Sequence, residues 1–537
     1  MPPGNIDSEK REEYEDQPGA GVSGLVDRAG GLTPLRATAL VCLVLASAKL
    51  ALHVAFIHGY GYFRDEFYYL ALGRHLDWGY VDVAPFTPAV ARLFTTIFGD
   101  GLFGIRLPVA LAGAVLVALT CWLARELGGG VFAQAFAGLC AIAAPVWLSM
   151  HHILNNNAFE PLFFAGCALV LVRMIQTGNT RLWIWFGVVA GAGMMNKNSM
   201  ALVAFALVAG LLLSPARRLV FSGWLLAGGA VAFLVFLPDL AWQAARGFPM
   251  LEFMRNADRY KNLALSPLQF SLTQIQMMNP VVLPVWIVGL GWLLFSKPGA
   301  RHRALGWAYV TAFVLLVLTR GKAYYLVPAY PPLLAAGAVA IGLFAARPGL
   351  AWLKPAAAVI VLIAAIALAP FGIPVLPVQK YIRYADALGV QPSSGERHRL
   401  GPLPQFYADM FGWQEMAAYV AGIYHRLPPD EQVRAVVATG NYGEAGAIDY
   451  FARRYDLPPA ISGHLQYYLW GPGRAKDPVI ILGGRLAEHR KIFEDVERAG
   501  TFTCQYCMPY ENDLAVWVVR KPRVDIAEVW PKAKHYE

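Results

Sequence analysis

The feature that most constrains this chain is the recurrence of apolar runs of roughly 17 to 23 residues, the length at which a helix crosses about 30 Å of hydrocarbon. Such runs lie at 36–57, 104–124, 131–149, 157–175, 219–238, 276–296, 303–319, 323–345 and 352–372, and 182–213 is long enough for two short helices broken at MNKNS. They predict a polytopic α-helical membrane protein with about eleven spans. With 57% hydrophobic and 15% charged residues, the chain is too apolar for a soluble fold. Its net charge of +9 does not mark a nucleic-acid binder, because Lys and Arg are scattered through short loops and form no single basic face.

Topology accounts for that charge. Placing the N-terminus in the cytoplasm puts Arg125, Arg173, Arg181, Arg217, Arg218, Lys297, Arg301, Arg303, Arg347 and Lys354 in inner loops, as the positive-inside bias requires. Residues 1–35 read as a disordered cytoplasmic tail leading into an uncleaved anchor. Residues 36–372 form the transmembrane part, with a long first outer loop at 58–103. Residues 373–537 change character: VRAVVATG, PVIILGG and LAVWVVRK are short β-type runs between turns and helical stretches, which predicts a soluble α/β domain on the outer side.

The outer face carries chemistry that lipid disfavours. DEFYYLALGRHL over 65–76 reads as an amphipathic helix lying in the interface, opened by Asp65 and Glu66. Such a pair can do no more than complement the helix dipole. Here, however, Asp82, Glu160 and Asp239 recur on the same face, and grouped carboxylates at a membrane boundary usually mark a site. Lys197, Arg320 and Lys322 break the charge bias on that side. Lys197 stands out, since Asn196-Lys197-Asn198 leaves polar backbone at membrane depth, a feature tolerated where it lines a cavity. Lys or Arg at a helix end also snorkels to headgroups.

Asp65-Glu66 in a long first outer loop, AFEPLFF at 158–164, MNKNS at 195–199, GKAYYLVPAYPPL at 321–333, and NYGEAGAIDYF at 441–451 with AISGH at 460–464 together resemble the polyprenyl-phosphate-dependent glycosyltransferases of the GT-C fold, the protein O-mannosyltransferase and aminoarabinose lipid A transferase group. The resemblance runs over nearly the whole chain. It implies a GT-C catalytic domain in the bacterial inner (plasma) membrane with its active site facing the periplasm or cell exterior. It further implies an inverting enzyme that moves a sugar from a polyprenyl-phosphate donor to a lipid, glycan or protein acceptor. Asp65 takes the catalytic carboxylate's place, Glu66 stands with it, Glu160 falls in the acceptor or metal pocket, and Lys197 contacts lipid phosphate. Val83-Ala84-Pro85 stands where many relatives have His-Pro-Pro or Lys-Pro-Pro.

The chemistry suits those residue types. A sugar on a polyprenyl phosphate already has a good leaving group, so transfer needs cations at the departing phosphate and a carboxylate to take the nucleophile's proton. Lys197, Arg320 and Lys322 are the phosphate candidates, with Arg64, Arg74 and Arg246 in reserve. Tyr324 and Tyr325 fit either a phosphate or sugar contact or an interfacial aromatic belt. Asp82, His151, His152 and Asp239 complete the expected acceptor pocket. His151 and His152 with Glu160 have the donor chemistry for a divalent ion, but adjacent helical histidines point about 100° apart, which favours structural roles; no cofactor is required, and a divalent metal remains possible. Cys504 and Cys507 can form a local disulfide. NYGEAG reads either as an anion-attracting helix start or, more plainly, as a capped helix on a small sheet. The expected partners are the lipid-linked donor, membrane lipids and the acceptor, with the protein a monomer. A transporter or flippase is the competing class; the absence of an obvious internal repeat and the one-sided carboxylates argue against it.

Overall fold

The computed structural model describes residues 33–473 and 477–537. The tail expected over 1–35 lies outside them except for its last three residues, which begin the first helix. The chain continues through α1 (Pro34–Ala55), α2 (Arg64–Arg74), α3 (Phe86–Phe98), α4 (Leu102–Glu126), α5 (Val131–Ile142), α6 (Pro145–Met150), α7 (Glu160–Thr177), α8 (Trp183–Asn196), α9 (Met200–Leu212) and α10 (Gly223–Ala245). It then forms α11 (Pro249–Asn256), α12 (Pro267–Met277), α13 (Leu283–Phe295), α14 (Arg303–Leu318), α15 (Tyr330–Phe344) and α16 (Leu353–Leu368).

Among the described residues, six helical stretches are long and apolar enough to cross a membrane alone, or seven if α12 and α13, bent by 97°, count as one broken span. Local chemistry explains why other apolar runs are shorter than the sequence suggests. Pro145 starts a new helix after Ala144, dividing the 131–149 run. Asn279, with φ at 73°, turns the chain before Pro280 and makes the bend between α12 and α13. Lys197 is extended (φ −160°, ψ 130°), so α8 stops there and α9 begins three residues on.

Small residues let the helices approach closely. A methyl group added to Gly289 would lie 2.0 Å from the Leu333 carbonyl, and one on Gly337 would lie 1.9 Å from that of Val285. Helices α13 and α15 therefore touch through backbone in both directions. Gly187 and Gly228 bring α8 against α10 in the same way.

After α17 (Val378–Ala387) and α18 (Trp413–Tyr424), the chain builds a five-stranded sheet from β1 (Val436–Thr439), β2 (Ala460–Ser462), β3 (Val479–Leu482), β4 (Phe493–Phe502) and β5 (Leu514–Pro522), in the order β2-β1-β3-β5-β4. β1 runs parallel to β2 and β3, whereas β5 is antiparallel to both neighbours. Helix α19 (Tyr442–Tyr455) connects β1 to β2, with Asn441 accepting hydrogen bonds from the Gly443 and Glu444 amides. The NYGEAG segment is thus a capped helix, its first free amides already satisfied.

The sheet shares its apolar core with the first loop: Phe67, Leu72 and Tyr80 belong to one buried cluster with Trp413, Val437, Ile480 and Val518. This corrects the reading of residues 65–76. Helix α2 is buried on nearly every side, and α19 packs on it at Arg64 and Phe67. A methyl on Gly446 would lie 2.8 Å from the Phe67 Cβ, so the two helices meet without room for a side chain. An exposed apolar stripe lies instead on α3, at Leu93, Ile97 and Phe98.

Candidate active site

Asp65 sits in the first turn of α2, following Phe63, whose amide is held by the Glu66 carboxylate at 2.8 Å. One-third of the Asp65 side chain is exposed; its Oδ1 accepts a 2.6 Å hydrogen bond from the Tyr442 hydroxyl and lies 3.6 Å from Arg64 Nε. Arg64 stacks over the Tyr442 ring at 5.3 Å and donates to the Tyr510 hydroxyl at 2.6 Å. Its amide donates to the Asp409 carbonyl at 3.0 Å. Three residues from the last third of the chain thus fix the start of α2.

Asp82 faces the same space. It accepts a 2.7 Å hydrogen bond from Tyr68. Burial pushes its pKa up to about 7; the Tyr68 bond works against that rise and the neighbouring Asp65 charge adds to it. Asp409 is pushed up to about 6 by burial, with Arg64 opposing.

A second group lies on the basic side. Lys197 Nζ donates to Glu160 Oε2 at 3.0 Å and to Asn157 Oδ1 at 2.7 Å, and stands 4.2 Å from the centre of the Tyr325 ring and 5.2 Å from that of Tyr324. Glu160 also accepts from Ser199. Lys322 approaches Tyr324 at 5.9 Å and lies 3.6 Å from Glu396 Oε1, which Lys261 meets at the same distance. Burial would raise the Glu396 pKa, but Lys261 and Lys322 outweigh it and hold the carboxylate at about 2. Burial lowers the Lys261 pKa, and that lysine feels the charge of Asp65 as well as that of Glu396. Lys261 thus links the first-loop carboxylates Asp65 and Asp82 to Glu396 and Lys322, and Tyr324 links Lys322 to Lys197.

Several expected site residues lie elsewhere. Glu66 is fully buried, accepting from Arg106 twice at 2.8 Å and from the Leu154 amide at 3.0 Å, so its oxygens are occupied in tying α2 to α4. His151 bridges the carbonyls of Trp147 at 2.6 Å and Ala158 at 3.2 Å, and His152 meets Arg106 at 3.3 Å. Both histidines belong to the packing behind the loop. Asp239 is buried beneath Gly79, with neither oxygen hydrogen-bonded among the described residues. Arg320 is exposed at a left-handed turn with φ 53°. Arg74 and Arg246 pair with Asp100 and Asp77 at 3.2 and 3.4 Å. Cys504 and Cys507 stand side by side as free thiols. Among the described residues, no group of three or more His, Cys, Asp or Glu is placed to hold a metal ion.

Residues 82–242 match the family described as dolichyl-phosphate-mannose-protein mannosyltransferase. The chain is 26% identical over 268 residues to the undecaprenyl phosphate-alpha-4-amino-4-deoxy-L-arabinose arabinosyl transferase of Edwardsiella ictaluri (strain 93-146), a match covering 45% of this chain and 47% of that relative. It is 32% identical over 170 residues to arabinosyl transferase 1 of the same description from Pseudomonas fluorescens (strain Pf0-1), covering 30% and 28%. The chain thus spans less than half the length of the curated relatives it matches. The fold reaches further: the crystal structure of ArnT from Cupriavidus metallidurans bound to undecaprenyl phosphate superposes with a TM-score of 0.55 at 17% identity, over 92% of this chain and 98% of that one. Residues 82–242 thus resemble that mannosyltransferase family, the aligned segments resemble the arabinosyl transferases, and the chain as a whole shares the fold of ArnT.

Proposed function

We propose that this protein is an inverting glycosyltransferase that moves a sugar from a polyprenyl-phosphate donor to a lipid, glycan or protein acceptor of the cell envelope, in a chamber facing the outer side of the bacterial inner membrane. The observation that carries the reading is Asp65: a partly open carboxylate, oriented by Tyr442, whose charge Lys261 feels, with Lys261 joined through Glu396 to Lys322. The printed names of the relatives, with undecaprenyl phosphate in each, support the donor class.

In this reading the acceptor hydroxyl or amine attacks the anomeric carbon from the Asp65 side and gives its proton to that carboxylate. The bond between the anomeric carbon and the phosphate oxygen breaks on the opposite face, and the electron pair leaves with the polyprenyl phosphate. The growing negative charge is met by the basic groups, each such contact being worth about 100- to 1000-fold in rate. Lys197 already has Glu160 as a partner, so the phosphate shares the ammonium with that carboxylate. No cofactor is required by this scheme, and a divalent ion would be an addition to it. The protein acts as a monomer.

Asp65→Asn in the purified full chain tests the assignment. Loss of sugar transfer with donor binding retained supports it; undiminished transfer overturns it. Mass spectrometry of envelope glycans and polyprenyl-phosphate sugars from cells lacking the protein identifies the sugar and the acceptor.

A further inference from the structure

A cavity lies beside the far end of α2, away from Asp65. It has a volume of about 280 Å³ and is lined by the C-terminal end of α2, one face of α3 and Arg453 of α19. We propose that this cavity binds the phosphate group of a membrane-lipid headgroup.

Charge is the first argument. Arg74, Arg92 and Arg453 converge on the cavity against a single lining carboxylate, Asp100. Among the described residues, Arg74 alone of the three is ion-paired, to Asp100 at 3.2 Å. Arg92 and Arg453 are exposed and bring two guanidinium forks toward one space, the arrangement that binds a phosphate through paired hydrogen bonds.

Position is the second argument. Arg92 is followed on α3 by Leu93 and Ile97, which are 55% and 61% exposed, and by Phe98 at 47%. Leu76 and Trp78, just beyond α2, are exposed as well. A stripe of this kind beside a basic face sits at the boundary of hydrocarbon and headgroups, the level at which lipid phosphates lie. A soluble phosphate would gain the charge contacts alone; a lipid also covers the apolar stripe.

The site is separate from Asp65. Arg74 stands nine residues beyond Asp65 on the same helix, about 13 Å along its axis. Because Arg453 belongs to α19 and Arg74 and Arg92 to the first loop, a phosphate held between them would also pin α19 to that loop.

The test uses the purified full chain in detergent, with phosphatidic acid as probe and native mass spectrometry as readout. The double variant Arg92→Gln, Arg453→Gln removes two exposed side chains that support no packing. It is expected to bind phosphatidic acid about tenfold or more weakly, with Arg217→Gln, Arg218→Gln, elsewhere on the surface, as the charge-matched control that binds normally. Equal binding by the double variant and the wild type overturns the proposal. Inorganic phosphate is expected to compete poorly; competition at equal concentration would overturn the lipid assignment and mark the cavity as a site for free phosphate.

Discussion

Arg106 holds Glu66 through two parallel hydrogen bonds, Nε to Oε1 and Nη2 to Oε2, each 2.8 Å long. Both side chains are almost fully buried, and the remaining guanidinium nitrogen donates to the Ile57 carbonyl at 2.8 Å. The pair fastens α2 to α4 and so fixes where Asp65 can stand.

Truncating one member of a buried pair strands the other charge, which typically costs about 3 to 5 kcal/mol. Glu66→Ala is therefore expected to lower the melting temperature sharply and reduce the yield of folded protein. Asp65→Asn, at a partly exposed position, leaves both near wild type. Thermal unfolding of the two variants in the same detergent separates the neighbours; equal stability would remove the structural role given to Glu66.

Tyr442 reaches Asp65 from 377 residues away in sequence. Tyr442→Phe keeps the ring that Arg64 stacks on and deletes one hydrogen bond to a charged oxygen, an interaction of about 1.5 to 3 kcal/mol. Transfer is expected to fall roughly 10- to 100-fold with little change in unfolding temperature. Steady-state kinetics would contradict the orienting role if kcat/KM were unchanged.

Lys197→Met removes the ammonium between Glu160 and the tyrosine rings. The expected result is a loss of about 100-fold or more in kcat/KM for the lipid-linked donor, with Lys197→Arg recovering part of it because the charge remains. A methionine variant as active as the arginine variant would show that charge at this position is dispensable.

The pH dependence of stability has a definite sign at Asp82. Its folded pKa, about 7, lies above the ordinary 3.8. Below that ordinary value both states hold the proton and the group has no effect. As pH rises from about 4 to about 7 the unfolded chain ionises first, so the group increasingly favours unfolding. Asp82→Asn is expected to gain unfolding temperature relative to wild type across that window and to hold the gain above it. A constant difference from pH 4 to 8 would rule this out.

What the sequence disclosed follows from the range of the signals. Apolar runs are local, so the helices could be read, and three polar residues inside such a run made the break at Lys197 visible. GKAYYLVPAYPP likewise pointed to Tyr324 and Tyr325, which the fold sets beside Lys197. Glu396, Lys261 and Tyr68 carried no local mark, because their meaning depends on charges brought together from distant segments. Helix α2 was misplaced for the same reason: its sequence has an apolar face and a polar face, and nothing nearby announces that α19 will pack on it.

The contact between residues 65 and 442 also sets an order of events during biogenesis. A nascent chain that has grown through α16 but not beyond it lacks Glu396, Asp409, Tyr442 and Tyr510. Asp65 and Arg64 therefore gain these partners only once the final third of the chain has folded onto α2.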